Sequence, residues 1–332
     1  MATSPRTVHV GILVFPGCVR SGAVVPQDVF ALANALTRSR PAGRRVDFMA
    51  HWVSARRGSR VDARGLGFAA VAPDLHPLDA LIVPGLDHDG DAGLARQLEA
   101  LDAEQALLRT LAGRGLPLLF GCSGACLVAR AGLLEGRRAT TSWWLGATVK
   151  SAFPGVQWQL QDILVEDGAL VSAAGVSSYF DLALWLVGRH GGEDLRQLAA
   201  RMLLHDSRRD SQAPYAAAAA GHEGPLVLER ARRWLAQRLD QPWTVAALAL
   251  HCRTSERTLL RRFKDATGVG PVQYAQQLRV ERAKTLLEST RLSLEEIASR
   301  CGYQDVSTLH KVFRQWAHLT PREYRARFGF RG

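Results

Sequence analysis

Residues 118–126, Leu118-Leu119-Phe120-Gly121-Cys122-Ser123-Gly124-Ala125-Cys126, run from an apolar strand pattern into small residues that open a helix. A strand-to-helix elbow of this kind presents one side chain, here Cys122, near the positive end of a helix, where a thiolate is stabilised. The chemistry on offer is nucleophilic. It requires a base to take the thiol proton and an acid to orient that base. His9, His51, His76, His88, His190 and His205 lie in the same part of the chain, but none stands in a motif with the cysteine. Trp143-Trp144 could stack on a ligand or embrace an organic cation. Packing is the plainer use of either tryptophan. The five cysteines (Cys18, Cys122, Cys126, Cys252, Cys301) have no metal-type spacing except Cys122-x-x-x-Cys126. The expectation is reduced thiols, no metal and no cofactor.

A second set of chemistry-bearing residues is cationic. The net charge is +11, and residues 225–332 hold 20 of the Lys+Arg against 10 Asp+Glu, leaving a near-neutral remainder. A concentrated positive field fits a polyanion, because each neutralised phosphate releases a counterion. Within this region Ser255 reads as the cap of a helix from Glu256 to Thr267 that ends at Gly268. Leu259 and Phe263, four apart, form its inward face, which turns Arg257, Leu260, Arg261 and Lys264 outward. Fifty residues on, Asp305 caps Val306–Trp316, which buries Leu309 and Phe313 and turns out Ser307, His310, Lys311 and Arg314. These outward residues suit entry into a major groove. For any one arginine, a solvated helix face is an equally good account.

The elements that position these helices repeat. Leu226–Leu239 is a helix broken at Gln241-Pro242. Thr244 caps a short amphipathic helix through Cys252 before the first reader. Ser293 and Glu296 have capping-box spacing, and Gly302 makes the turn into the second reader. A helix over Val272–Ser289 joins the two copies. Held on one frame, the readers would meet successive major grooves of duplex DNA, ~34 Å apart.

The elbow belongs to a different architecture. Strand patterns at Val8–Phe15, Val46–Ser54, Ala80–Pro84 and Pro117–Gly121 alternate with helical patterns at Gln27–Thr37, Ala92–Ala112 and Ser178–Val187. Further strands are expected at Arg137–Trp143 and Ile163–Ala174, the latter with a hairpin at Asp167-Gly168. This order predicts an α/β domain with a mainly parallel sheet between helical layers, over residues 7–205. Residues 206–224 read as a linker, with a run of alanines from Ala216 whose stiffness is left open, and residues 225–330 as an all-α domain. No apolar run reaches the ~20 residues of a membrane span. The apolar stretch Val8–Phe15 is too short and β-branched for a signal-peptide core. A cytoplasmic protein with no membrane partner is expected.

Gly302-Tyr303, followed by Leu309, Lys311, Phe313 and Leu319-Thr320-Pro321-x-x-Tyr324-Arg325, closely resembles the signature of the AraC/XylS transcription regulators over residues 225–328. The resemblance implies two helix-turn-helix units that read double-stranded DNA, contact RNA polymerase and usually activate transcription. Lys311 stands where that pattern usually has arginine, which keeps the charge but loses the bidentate fork. Glu256 is an acidic departure at the start of the first reader. The elbow, with Ala131-Gly132-Leu133-Leu134-Glu135-Gly136 and Arg138-Ala139-Thr140-Thr141, resembles the type 1 glutamine amidotransferase-like, intracellular-protease superfamily over residues 7–200. It is most similar to the form fused to AraC-type domains in regulators of the GlxA/FtrA kind.

That second resemblance implies a flavodoxin-like fold, with Val83-Pro84-Gly85 as the loop that supplies a backbone donor beside the cysteine. It also exposes two departures. Ser142 follows Thr140-Thr141 where active relatives carry the catalytic histidine, and Gly22 stands four residues before Pro26 where related hydrolases place a carboxylate. A serine cannot act as the imidazole base, so no catalytic residue is assigned and no enzyme activity is expected. A ligand pocket bounded by Gly85, Cys122, Ser123, Ser142 and Trp143 is expected instead. It would sense a small effector, with nitrogen-containing metabolites suggested by the resemblance, which also implies a homodimer. An active cysteine hydrolase and a pure dimerisation module stay open as alternatives.

Overall fold

The computed structural model describes residues 6–56, 60–63, 65–74, 77–206, 209–216 and 226–329. His76 and most of the expected linker, including all but the first of its alanines, lie outside them. The chain divides into two units, Met1–Gln212 and Ala213–Gly332.

The first unit runs β1 (Arg6–Leu13), α1 (Arg20–Thr37), β2 (Val46–Val53), β3 (Arg60–Ala63), β4 (Leu66–Ala69), β5 (Ala80–Val83), α2 (Asp91–Glu99) and α3 (Asp102–Gly113). It continues with β6 (Leu118–Gly121), α4 (Gly124–Arg130), β7 (Arg138–Ala139), α5 (Gly146–Ala152), β8 (Gln157–Trp158), β9 (Leu164–Asp167), β10 (Leu170–Ala173), α6 (Tyr179–Gly191) and α7 (Glu193–Met202). Six strands form one sheet in the order β2-β1-β5-β6-β10-β9. All pairs are parallel except β10 with β9. Every residue of β5 and of β6 is buried, as expected for strands covered on both faces. Helices α1, α6 and α7 pack together, and α4 packs with α2 and α3, giving the flavodoxin-like α/β arrangement.

Three expectations need adjustment. The first helix begins at Arg20, not Gln27, and carries Pro26 inside it. A helix-interior proline costs ~3 kcal/mol. Burial of Ala23, Pro26, Val29, Phe30 and Ala33 on that helix outweighs the cost. The stretch Ala92–Ala112 is two helices, because Leu101 leaves helical geometry (φ −107°, ψ 36°) ahead of the acidic first turn of α3. Only Arg138–Ala139 of the strand expected at Arg137–Trp143 is paired, and Trp143 opens a single 3-10 turn. The hairpin at Asp167-Gly168 forms as expected, with Gly168 at φ 64°.

The second unit is helical: α8 (Leu226–Ala236), α9 (Val245–His251), α10 (Glu256–Thr267), α11 (Pro271–Ser289), α12 (Leu294–Arg300), α13 (Val306–Ala317) and α14 (Pro321–Phe328). It has two small cores. Leu228, Leu235, Leu248, Leu259, Phe263 and Tyr274 form one, while Val280, Leu287, Ile297, Leu309, Phe313 and Tyr324 form the other. Helix α11 places Tyr274 and Ala275 in the first core and Val280, Ala283 and Leu287 in the second.

Side chains start these short helices. The hydroxyls of Thr244 and Ser255 and the carboxylate of Asp305 accept backbone N–H bonds at the starts of α9, α10 and α13. Ser293 with Glu296 makes the expected capping box, and Thr320 with Glu323 makes a second that the sequence reading did not name.

Candidate functional site

In the α/β unit, β6 delivers Cys122 into a left-handed backbone conformation (φ 53°) before α4 begins. A non-glycine residue there costs ~1–3 kcal/mol unless its surroundings over-determine it. They do. The Cys122 N–H donates to the Ala173 carbonyl at 3.0 Å. The Thr141 hydroxyl donates to the Cys122 carbonyl at 2.7 Å. Gly124 lets α4 press onto the loop after β5, since a Cβ there would lie 2.7 Å from the Pro84 carbonyl oxygen.

The residues expected around the cysteine do assemble, but they face one another and are closed to solvent. Gly85, Cys122, Ser123 and Ser142 are all buried. The Ser142 hydroxyl donates to Cys122 Sγ at 3.1 Å and accepts the Gly175 N–H at 3.2 Å. A base would have to take the thiol proton at that point, and a hydroxyl is no base near neutrality. Ser123 is locked to Leu86 in both senses, accepting its N–H at 2.8 Å and donating to its carbonyl at 2.9 Å.

The backbone donor expected from the Val83-Pro84-Gly85 loop is engaged too. Gly85 N–H donates to Tyr179 Oη at 2.5 Å, and that phenol donates onward to the Gly121 carbonyl at 3.2 Å. Tyr179 is wholly buried, and burial pushes its phenol well above the ordinary range. Its ring also fills the space beside Gly22, where an added Cβ would lie 2.7 Å from Tyr179 Cζ. The position expected for a carboxylate therefore faces an aromatic ring. Cys126 is equally unsuited to chemistry, with burial pushing its thiol up to about 12.

The described histidines bond elsewhere. His9 meets His51 at 3.1 Å, His205 meets the Asp181 carboxylate at 2.8 Å, and His88 meets the Gly90 carbonyl at 3.2 Å. His190 lies edge-on to Phe48. Trp143 is half-buried and Trp144 is 47% exposed, the two rings meeting edge to face.

Two residues at this site were not found from sequence, Tyr179 and Gln212. The Gln212 amide accepts the Trp143 N–H at 2.8 Å and donates to the Thr141 carbonyl at 2.9 Å, bracketing Ser142 like a strand partner. Neither residue has a local signal. Each acts 30 or more residues away in the chain from the group it holds.

In the helical unit the two reader helices present their side chains to solvent. Leu259 and Phe263 on α10, and Leu309 and Phe313 on α13, are buried. Arg257, Leu260, Arg261 and Lys264 are exposed on α10, as are Ser307, Lys311 and Arg314 on α13. His310 is half-buried rather than fully outward. Arg262, not among the expected contacts, is also exposed on α10. Gly302 makes the turn before α13 at φ 76°, where a Cβ would lie 2.1 Å from the Leu239 carbonyl oxygen.

The chain thus joins an α/β unit with a closed cysteine elbow to a basic helical unit with two helix-turn-helix pairs. The pattern of the DJ-1/PfpI family matches residues 9–189, more than half of the 332 residues, and the chain belongs to that family. A helix-turn-helix domain pattern matches residues 248–327, the AraC-type portion.

The transcriptional regulator GbdR of Pseudomonas aeruginosa is 28% identical over 251 residues, 75% of this chain and 66% of GbdR. The chain thus spans just under two thirds of that relative. The transcriptional regulator GlxA of Rhizobium meliloti is 26% identical over 230 residues, 68% of this chain and 70% of GlxA. A solved structure from Vibrio parahaemolyticus shares the fold over 60% of this chain and 100% of its own, with a TM-score of 0.50 at 20% identity. Among the described residues no helix is long and apolar enough to cross a membrane.

Proposed function

We propose that the chain is a ligand-responsive transcription activator whose α/β unit has the shape of an enzyme but serves as a sensor. The observation that carries this reading is the contrast in exposure between the two sets of chemistry-bearing residues. The cations of α10 and α13 stand in solvent on helices of the right kind to enter major grooves. The elbow has its thiol, hydroxyls and loop N–H groups bonded to one another. Loss of a base alone lowers rates by orders of magnitude, and here the backbone donor is engaged as well.

In this reading Arg257, Leu260, Arg261, Lys264, Ser307, His310, Lys311 and Arg314 face double-stranded DNA. A small effector binds around Gly85, Cys122, Ser123, Ser142 and Trp143, and because these groups are bonded to one another in this structure it must displace those contacts to enter. Trp144, the exposed neighbour of the half-buried Trp143, favours a cationic or aromatic effector. The chain works as a homodimer and recruits RNA polymerase. An effector shifts DNA occupancy only if it binds one arrangement of the protein more tightly than the other.

The test uses a duplex selected by the full-length protein from a random pool. Arg261→Ala and Lys311→Ala should each weaken binding by ~1–3 kcal/mol, roughly tenfold to a hundredfold, without altering the melting temperature. Unchanged affinity in both variants would overturn the reader assignment. The purified protein should show no turnover of amides, peptides or glyoxals. Turnover that disappears in Cys122→Ala would restore the hydrolase reading.

A further inference from the structure

The helical unit holds a cavity of its own, about 820 Å³ in volume, in the cleft between its two helix-turn-helix halves. The first half lines it with Trp243 and Val245, the second with Tyr303 and Val312, and helix α11 with Val272 and Arg279. The halves touch beside it. Arg279 Nε donates to the Leu239 carbonyl at 2.7 Å, and Gly302, with no side chain, lets the turn before α13 come up against that same carbonyl. A space of this size, between packed helices, is of the kind that takes small ligands.

Two polar groups of the lining are short of partners. Tyr303 is 8% exposed, and among the described residues its buried hydroxyl has no hydrogen-bond partner. Leaving such a hydroxyl unmatched is costly, and native proteins seldom do so. Burial pushes this phenol up to about 12, so it keeps its proton and can donate. The Arg279 guanidinium lies over the same ring, 5.4 Å from its centroid. Its Nε is spent on Leu239, but among the described residues no carboxylate pairs with it, which leaves the fork of η nitrogens uncommitted. Two carboxylates do line the cavity, Asp240 and Asp305, and both are exposed. Asp305 is already taken by the Ser307 hydroxyl and by the N–H and hydroxyl of Thr308.

A guanidinium fork beside a neutral phenol donor matches a carboxylate, which accepts on both of its oxygens. The remaining lining is aromatic and aliphatic. We propose that this cleft binds a small aromatic carboxylate, its oxygens on Arg279 and the Tyr303 hydroxyl and its ring among Trp243, Val245, Val272 and Val312. The hydroxyl is closed to solvent, so the ligand must move aside the groups over it. Once seated it touches both halves and favours one spacing of α10 and α13. This site lies wholly within the helical unit. It goes beyond the sensor reading above and does not depend on it.

The experiment is a fluorine NMR titration of the full-length chain with 4-fluorobenzoate. A dissociation constant of about 1 mM or tighter is expected, within reach of a ligand of about ten heavy atoms. Acetate, with the charge but no ring, and 4-fluorobenzamide, with the ring but no charge, should each bind at least about tenfold more weakly. Arg279→Gln should weaken 4-fluorobenzoate binding at least about tenfold and Tyr303→Phe about threefold. Should Arg279→Gln fail to fold, Val272→Trp carries the same readout. Val272 is 52% exposed and belongs to neither core, so the larger ring fills the cleft without disturbing the packing, and binding should be lost.

No binding at about 10 mM, or binding unchanged in Arg279→Gln and in Val272→Trp, would overturn the proposal. Binding lost in Trp143→Ala but kept in Val272→Trp would place the carboxylate at the elbow and also overturn it. A third outcome would do the same: no binding of 4-fluorobenzoate, with weaker binding of the selected duplex by Arg279→Gln, would assign the Arg279 fork to a DNA phosphate.

Discussion

The two units hold their helices by different means. In the α/β unit none of the helices α1 to α7 has a side-chain cap bond at its N-terminus. The sheet holds them, as α1 shows by burying Ala23, Val29, Phe30 and Ala33. In the helical unit α9, α10, α12, α13 and α14 all start on a Ser, Thr or Asp whose side chain accepts a backbone N–H. Those helices are 7 to 12 residues long. Isolated helices of that length are marginal in water. A helix that must leave one face free for a partner cannot rely on burial, so local capping does more of the positioning. The elbow shows the converse, because in its buried setting the Ser123 and Ser142 hydroxyls, the Cys122 sulfur and the Gly85 N–H are each bonded to a neighbour.

Substitutions in the two units should separate these two means of support. Gly302→Val should be the most damaging, because it places a side chain against the Leu239 carbonyl in a left-handed conformation. Overpacking and strain together predict a loss of about 3 kcal/mol or more in the helical unit, measured by chemical denaturation. The α/β unit should melt unchanged. Tyr179→Phe should act on the other unit, leaving the buried Gly85 N–H without its acceptor. That costs about 1–3 kcal/mol. DNA affinity should stay at the wild-type value. A drop in DNA affinity without a stability change would mean that the elbow reports to the readers even without an effector.

Acid provides the gentlest probe. The Ser307 hydroxyl and the Thr308 N–H and hydroxyl hold Asp305 down to about 2, and the N–H groups of Ser293 and Thr320 lower Glu296 and Glu323. Their folded values lie below the unfolded ones. The stabilisation is therefore fully present above the unfolded carboxylate value of about 4 and is lost as the pH falls toward about 2. Helical circular dichroism should decline across that window, and Asp305→Asn should make the decline shallower. An identical profile in both proteins would remove Asp305 from the explanation.

Legibility followed the same division. The helical unit could be read closely because its instructions are local. Ser255, Asp305 and the Ser293–Glu296 pair sit within three residues of the groups they cap. The inward pairs Leu259/Phe263 and Leu309/Phe313 are four residues apart and buried as expected. In the α/β unit the strands were legible from their apolar runs, and the elbow from its small residues. What closes the elbow was not. Tyr179 reaches Gly85 across 94 residues and Gln212 reaches Trp143 across 69, so no window of sequence contains both partners. The start of α1 at Arg20, ahead of the expected Gln27, has a related cause, because burial of Pro26 and its neighbours overrides a strong local breaker.

If the two reader helices enter DNA as proposed, helix α11 imposes a grammar on it. It is 19 residues long, and its two halves are buried in different cores, so it cannot bend without opening one of them. In the proposed reading, each chain would accordingly read a word of two syllables at a spacing it cannot change. The syllables are spelled differently, in arginines on one helix and in serine, lysine and arginine on the other. One base pair inserted between them would turn the second syllable about 35° around the duplex, since a turn holds ~10 base pairs. Such a word has a direction. A site of this kind needs no palindrome, and reversing it would reverse the order in which the readers, and whatever else the chain carries, are laid along the promoter.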